Sequence, residues 1–482
     1  MVAGVIGCQP KSEKATSTHP AIAKELTISA TQTYQTIDGF GVNITPAQWR
    51  NGNLRPVIDS LVDDLGSTLI RFDCYGRADW LDPEKQNDDG TFPEEYLEKV
   101  YTSPVFKDAW ETFRYFNSKG IEPIFNISGS INAAWADEYK GKPQRLKNFD
   151  AYAEMAVTLL TWARKKEGLK FSLFMPFNET DLGFPEGPRF LDEDCYPAFV
   201  AIMEKLKKNG FEDLPVVVLD DSHLIPGRLK AIVEDERFVS GVKGFGWHTY
   251  GNATDADAPS SWNESKGPYK IFTEETQATS YKDKSYWLTE YGDLDQSNEI
   301  EFEVAWRSAR RLIKALNDGM TGAMVWDAFD NYHVHDSAWA QYGLFKTDTL
   351  QWSYKTKPRY YANKQFYKFI KPDFERCEIE QQKSNHIFGV WTDPLRNMYL
   401  SAYTSKGKDA FTFVGMSLVE ADVAMTITLR GFSEAINGKK VYYYRTSRNE
   451  NCVKAGEITV KDNKVTIVIP ERSIVTITTE AN

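Results

Sequence analysis

The sequence predicts a (β/α)8 TIM barrel followed by a C-terminal β-sandwich that is completed by an N-terminal strand. Three observations carry this. Between residues 36 and 371, short apolar segments alternate with stretches of helical period, the pattern of a parallel sheet wrapped by helices. After Ile370-Lys371-Pro372 the helical period vanishes and short alternating runs take over. Residues 25–34 already alternate apolar and polar side chains, a strand with one wet face that comes too early to belong to the barrel. The expected organisation is a leader and tether over 1–24, the extra strand over 25–35, the barrel over 36–371 and the sandwich over 372–482.

The chain has 482 residues, more than one core supports, so two domains are expected. With 41% hydrophobic and 26% charged residues it can bury a large core. A net charge of -11 argues against a nucleic-acid partner. Aromatic residues make up 13% of the chain, with 13 Trp and 24 Tyr, a surplus that suits flat surfaces for stacking on sugars.

At the N-terminus, Val5-Ile6-Gly7-Cys8 resembles a bacterial lipobox. That resemblance implies lipidation of Cys8 and a place on the bacterial cell envelope, at the outer-membrane surface or in the periplasm, with residues 9–17 as a tether. The charged start and most of the apolar stretch of such a leader are missing, which reads as truncation. No apolar run reaches about 18 residues, so nothing spans a membrane and the anchor is the expected membrane contact. The five Cys form no CxxC pair. Cys74, Cys195, Cys377 and Cys452 read as free buried thiols, with Cys377 and Cys452 able to pair.

Eight barrel strands are predicted over 37–42, 68–73, 122–127, 171–177, 216–220, 243–249, 286–289 and 323–328, with helices over 57–64, 105–118, 149–166, 196–208 and 302–317. Joints from helix to strand are short and carry Gly. Loops from strand to helix are long: 75–104, 128–148, 180–195, 250–266 and 330–357. Loops at the strand C-termini wall the active site of such a barrel. In the sandwich, strands are predicted over 376–382, 386–391, 398–403, 411–415, 424–429, 441–445 and 465–469, with a turn at Asn437-Gly438.

Two barrel strands end in acids. The run Leu173-Phe174-Met175-Pro176-Phe177 stops at Asn178-Glu179, and Tyr286-Trp287-Leu288-Thr289 stops at Glu290, 111 residues on (290 − 179). Taken singly, Glu179 reads as a solvated loop acid and Glu290 as one half of a structural ion pair. Together they have the makings of the carboxylate pair that cleaves glycosidic bonds, in which one acid protonates the leaving oxygen and the other attacks the anomeric carbon. On strands 4 and 7, on opposite sides of the barrel, the two side chains can close to the required separation.

Asn178-Glu179, Glu290 and the β-rich C-terminal module resemble a clan A retaining glycoside hydrolase. Thr36-Ile37-Asp38-Gly39-Phe40-Gly41 and the stretch from Arg359 to Pro372 resemble family 30 in particular. The resemblance implies Glu179 as general acid/base and Glu290 as nucleophile. It implies Arg71 as the residue that keeps the nucleophile ionised, Asn178 as a partner of the sugar 2-hydroxyl, and His248 and Tyr250 as hydrogen-bonding partners of the nucleophile. Alternation places residues 248 and 250 on one face, as that role requires. Trp326 matches a sugar-stacking floor residue, with Asp327 and Asp330 following it. Trp49, Asp73, Trp135, Phe184 and Trp339 lie on expected rim loops as candidate subsite residues.

The loop Asn331-Tyr332-His333-Val334-His335-Asp336 departs from the family pattern. His333, His335 and Asp336 could ligate a metal, but hydrogen bonding is the preferred reading, and no metal or cofactor is expected.

The expected function is therefore a monomeric retaining β-glycosidase acting on oligosaccharides or polysaccharides, of the endo-β-1,6-galactanase type. The alternatives are an exo-acting β-glucosidase, β-galactosidase or β-xylosidase, and a non-catalytic glycan-binding surface lipoprotein. Acyl hydrolysis is disfavoured because no GxSxG elbow occurs.

Overall fold

The computed structural model describes residues 22–45, 49–73, 79–223, 225–251, 274–293, 301–330, 341–348, 350–380 and 398–480. Each of the eight predicted barrel segments forms a strand. They are barrel strands 1 (Gly39–Ile44), 2 (Leu69–Asp73), 3 (Ile124–Asn126), 4 (Leu173–Met175), 5 (Val216–Asp221), 6 (Val242–Gly251), 7 (Ser285–Asp293) and 8 (Gly322–Val325). All neighbours are parallel, and the ring closes in chain order. Strands 4 and 7 therefore stand three places apart with strands 5 and 6 between them, not on opposite sides as expected. Ile124, Leu173, Met175, Val217, Trp287 and Met324 fill the barrel interior, which is a packed core and not a pore.

Helices cover the outside because each presents an apolar stripe to the strands. Pro104–Ser118 buries Phe106, Trp110, Phe113 and Phe116, and Glu301–Asn317 buries Trp306, Leu312, Ile313 and Leu316. The predicted helices 57–64 and 149–166 each open into wider turns at their C-terminal ends, over Ser60–Leu65 and Trp162–Lys166. The long loops carry structure of their own. Residues 75–104 include the helix Glu94–Tyr101, and 128–148 include the hairpin Ala136–Tyr139 with Lys142–Leu146. Residues 330–357 include the hairpin Phe345–Asp348 with Ser353–Thr356.

The β-domain is one nine-stranded sheet curled around its own core of Ile28, Leu400, Phe413, Ile427, Val441, Ile467 and Ile477. The N-terminal strand begins at Ile22, inside the expected tether, and runs to Thr36. It pairs antiparallel with Glu375–Ile379 and parallel with Val423–Arg430. Two strands were not expected: Glu450–Thr459, a polar outer strand, and Ile474–Thr478, which lies between Phe411–Ser417 and Lys440–Ser447. The predicted strand over 386–391, the leader with Cys8, and Cys74 lie outside the described residues. Cys195, Cys377 and Cys452 are free and buried. Among the described residues no helix is long and apolar enough to cross a membrane.

The helix Pro358–Tyr367 joins the two domains. Its Gln365 donates to Thr446 at 2.8 Å and accepts from Thr476 at 2.7 Å, and just beyond it Phe369 stacks on Tyr444 at 4.3 Å. On the barrel side, the Tyr367 ring stacks on Phe40 at 5.2 Å and its hydroxyl donates to the Gly41 carbonyl at 2.8 Å. Position 41 admits only glycine, since a Cβ there would lie 1.5 Å from the Leu69 oxygen. The opening and closing motifs of the barrel thus meet each other as packing.

Candidate active site

The site lies at the C-terminal ends of the barrel strands. Beyond strand 4 the chain is pinned from below: Asn126 donates to the carbonyls of Met175 and Phe177 at 3.4 and 3.2 Å, and the Tyr152 hydroxyl donates to Pro176 at 2.8 Å. The Phe177 ring packs between Tyr152 and Phe190. The next residues turn sharply. Glu179 sits in the left-handed region at φ 41°, a conformation that costs an L-residue roughly 1–2 kcal/mol. Its amide donates to the Asp220 carbonyl at 2.8 Å, and its own carbonyl accepts from Leu182 and Gly183. Gly187 closes this turn, since a Cβ there would lie 1.9 Å from the Asn178 oxygen.

Bulges aim the remaining side chains. The pairing of strands 6 and 7 shifts register between Leu288 and Glu290, which sets Glu290 beside His248. Strand 5 shifts between Leu219 and Asp221, with Leu219 and Asp220 both at positive φ. Bulges of this kind re-aim side chains beside active sites.

Arg71, fully buried on strand 2, is the hub. One terminal nitrogen donates to Glu290 and to Asn43, each at 2.6 Å; the other donates to Asn178 and to Asp220, each at 2.7 Å. His248, also fully buried, lies 2.9 Å from Glu179 through Nδ1 and 3.0 Å from Asp220 through Nε2, and its Nδ1 is 3.5 Å from Glu290. The Tyr250 hydroxyl donates to the other oxygen of Glu290. Asp220 and His248, from strands 5 and 6, therefore fill the arc between the two glutamates.

Arg71 and His248 face three acids, Glu179, Asp220 and Glu290. Burial raises the pKa of Glu179, and the Glu290 charge adds to the rise despite the hydrogen bond from His248. Burial also works against the Asp220 charge, yet Arg71 and His248 hold that carboxyl well below its ordinary range. Burial alone would lower His248, but the charges of Glu290 and Asp220 carry it well above its ordinary value. Burial and Glu290 push the Tyr250 hydroxyl up. A raised Glu179 beside a depressed Asp220 is the direction of shift that sets a proton donor apart from its neighbours.

Among the described residues, Glu179, His248 and Glu290 offer ligand atoms that all lie within 4.8 Å of one another, close enough for a metal ion. Both ring nitrogens of His248 already face carboxylates, so the donor set suits proton transfer better than metal ligation. The same distance brings oxygens of the two glutamates together at a separation suited to direct attack on an anomeric carbon. An intervening water would need carboxylates about 6.5–9.5 Å apart.

The structure brings together six of the residues singled out from sequence: Arg71, Asn178, Glu179, His248, Tyr250 and Glu290. Trp326, half-buried at the end of strand 8, adjoins them; its carbonyl oxygen and the Tyr250 ring both pack near Gly292. Trp49 and Trp135 are placed elsewhere. Trp49 is buried against Tyr115 and Arg55 on the helical shell, and Trp135 is buried in the core of a short turn ahead of the 136–146 hairpin. Phe184 is exposed, with the Lys142 amine 4.1 Å from its ring centre. Asp330 is buried in an ion pair with Lys357 at 2.8 Å. Asp73 ends strand 2, with its side chain outside what is described, and His333, His335, Asp336 and Trp339 lie outside the described residues. Sequence reasoning passed over Asp220, Asn43 and Asn126; the available signal was Asp220-Asp221 closing the apolar run of strand 5.

No protein-family profile matches the chain, and no curated protein matches it in sequence. Solved structures do match. A glycoside hydrolase family 30 subfamily 8 xylanase from Clostridium acetobutylicum superposes with a TM-score of 0.67 at 17% identity, covering 94% of this chain and 99% of its own. An endo-β-1,6-glucanase gives 0.65 at 15% identity, covering 95% and 94%. A conserved exported protein from Bacteroides fragilis gives 0.67 at 14% identity, covering 94% and 100%. The likeness extends over nearly the whole of each chain and is one of fold: a (β/α)8 barrel with its attached β-domain.

Proposed function

We propose that the chain is a retaining β-glycosidase that hydrolyses β-linked glycans by double displacement. The observation that carries this reading is the approach of Glu179 and Glu290 to within 4.8 Å in a buried cluster. Glu290, oriented by Arg71 and Tyr250, attacks the anomeric carbon while Glu179 protonates the departing oxygen. Water, deprotonated by Glu179, then releases the glycosyl group. Asn178, held by Arg71 and by the Glu186 carbonyl, is the proposed partner of a 2-hydroxyl, and Trp326, beyond strand 8, the proposed stacking ring.

Endo action on a polysaccharide is the finer reading. It rests on the structural likeness to a xylanase and an endo-β-1,6-glucanase, and the β-1,6-galactanase type stands within it. We also infer a monomer of the bacterial envelope anchored by a lipid on Cys8, on the strength of Val5-Ile6-Gly7-Cys8 and of likeness to an exported protein.

The deciding experiment is a screen over β-linked oligosaccharides and polysaccharides, with the first-formed anomer read by proton NMR. A β-configured first product supports the mechanism, and an α-configured one overturns it. Internal cleavage products identify endo action, and release of single terminal sugars favours the exo reading.

A further inference from the structure

Behind Glu179 lies a second polar cluster that the double-displacement reading does not use. Thr180 and Asp181, the two residues after Glu179, are both buried, and each is tied by its side chain to the end of strand 5. The Thr180 hydroxyl donates to Asp221 at 2.8 Å and accepts from Arg228 at 3.0 Å. Arg228, buried as well, donates to Asp221 at 2.6 Å, and its Nε points to the Cys195 sulfur at 3.2 Å. Asp181 accepts four hydrogen bonds: from the Ser222 amide at 2.9 Å, the Ser222 hydroxyl at 2.8 Å, the His223 amide at 3.0 Å and His223 Nδ1 at 2.8 Å.

Three consecutive residues, 179 to 181, are thus stitched to residues 220 to 223, the first through its backbone and the others through side chains. The stitched segment holds the left-handed turn at Glu179. Burying two acids and a guanidinium is costly unless each is paired, so a cluster of this kind specifies one geometry more than it adds stability. Its polar atoms are directed at one another, while the turn it holds carries the carboxyl that faces His248.

We propose that Thr180, Asp181, Asp221, His223 and Arg228 form a clamp that positions the acid/base Glu179. The proposal rests on the reading of Glu179 as proton donor. None of the five is a catalytic residue; each acts through the backbone of the turn. Loosening the clamp should impair proton donation to the leaving group and spare the attack by Glu290.

The test uses the full chain with Asp181→Asn, the double variant Arg228→Met/Asp221→Asn, which removes cation and anion together so that no buried charge is stranded, and His223→Gln, whose side chain is 62% exposed and least able to disturb folding. Two quantities are measured in each. The first is amide hydrogen exchange over residues 179–183, which needs no substrate. The second is kcat and KM on a methyl and on a dinitrophenyl β-glycoside of the sugar that the linkage screen identifies.

The expected result is faster exchange confined to that segment, and a fall of about 10- to 100-fold in kcat/KM on the methyl glycoside with little change in kcat/KM on the dinitrophenyl one, whose leaving group needs no proton. Asp181→Glu should recover part of the loss. Unchanged exchange in Asp181→Asn and in the double variant overturns the clamp, and equal losses of kcat/KM on both glycosides overturn its role at Glu179. If the parent protein cleaves no β-glycoside, the functional reading falls, while the exchange measurement still decides whether the clamp exists.

Discussion

His248 Nδ1 stands 2.9 Å from Glu179 Oε1, with Glu290 3.5 Å from the same nitrogen. One imidazolium thus reports to both proposed catalytic carboxylates. A proton gained or lost by either is felt by the other, as in other paired acids.

That coupling can be read directly. Removing the Glu290 charge in Glu290→Gln takes away one influence that raises Glu179, so Glu179 should titrate at lower pH than in the parent. Carbon-13 NMR of labelled Glu side chains measures the shift. A Glu179 titration that does not move would refute the coupling.

The kinetic roles separate in single variants. Glu290→Gln should abolish turnover, by on the order of 10⁴-fold or more, and leave ligand binding by calorimetry largely intact. Glu179→Ala should slow substrates with poor leaving groups by about 10²- to 10⁴-fold and activated aryl glycosides far less. Retained activity in the first variant, or equal losses in the second, contradicts the assignment.

Arg71 neutralises Glu290 and Asp220 with no solvent to take its place. Arg71→Met strands both acids and should cost about 3–5 kcal/mol in urea unfolding. Adding Asp220→Asn removes one stranded charge, so the double variant should lose less than the two single variants summed. Strict additivity in that cycle would show that the pair does not interact.

Stability should depend on pH in two opposite senses. Asp220 is depressed in the folded state, so its contribution is present above its ordinary value of 3.8 and is lost as pH falls. His248 is raised, so its contribution is full below its ordinary value of 6.5 and is lost as pH climbs through the raised value. From this pair the thermal midpoint should peak between those two values and decline on either side. His248→Asn should flatten the alkaline decline and, by removing one of the two charges that depress Asp220, soften the acid one, and calorimetric scans across pH decide it.

The parts of this fold that could be read in the sequence are those where side-chain pattern and burial coincide. Strands such as Val216–Asp221 are apolar because both faces are covered, and Glu179 and Glu290 stand out because a carboxylate ends such a run. Asp220 does the same but was passed over, because its role depends on a bulge at Leu219 and Asp220 that no glycine announces. Trp49 and Trp135 follow strands, as rim residues do, yet fold back into the core; chain position does not say which way a ring turns. The strand Glu450–Thr459 was missed because its sequence is largely polar, and Ile474–Thr478 because its five residues are all buried and lack alternation. Strands 4 and 7 were placed too far apart, and with them went the reason that strands 5 and 6 supply the residues linking the glutamates.

The N-terminal strand carries a consequence for biosynthesis. Ile22 pairs with Val423, 401 residues later (423 − 22), so this strand leaves the ribosome long before its neighbours and waits for them while the barrel is made. At ordinary elongation speeds the delay is on the order of 20–80 s. During that interval the apolar stretch Leu26 to Ala30 has no partner strand and is open to pairing with other chains. The barrel, encoded entirely between the two halves of the sheet, can close first and draw them together, so that the β-domain is assembled last.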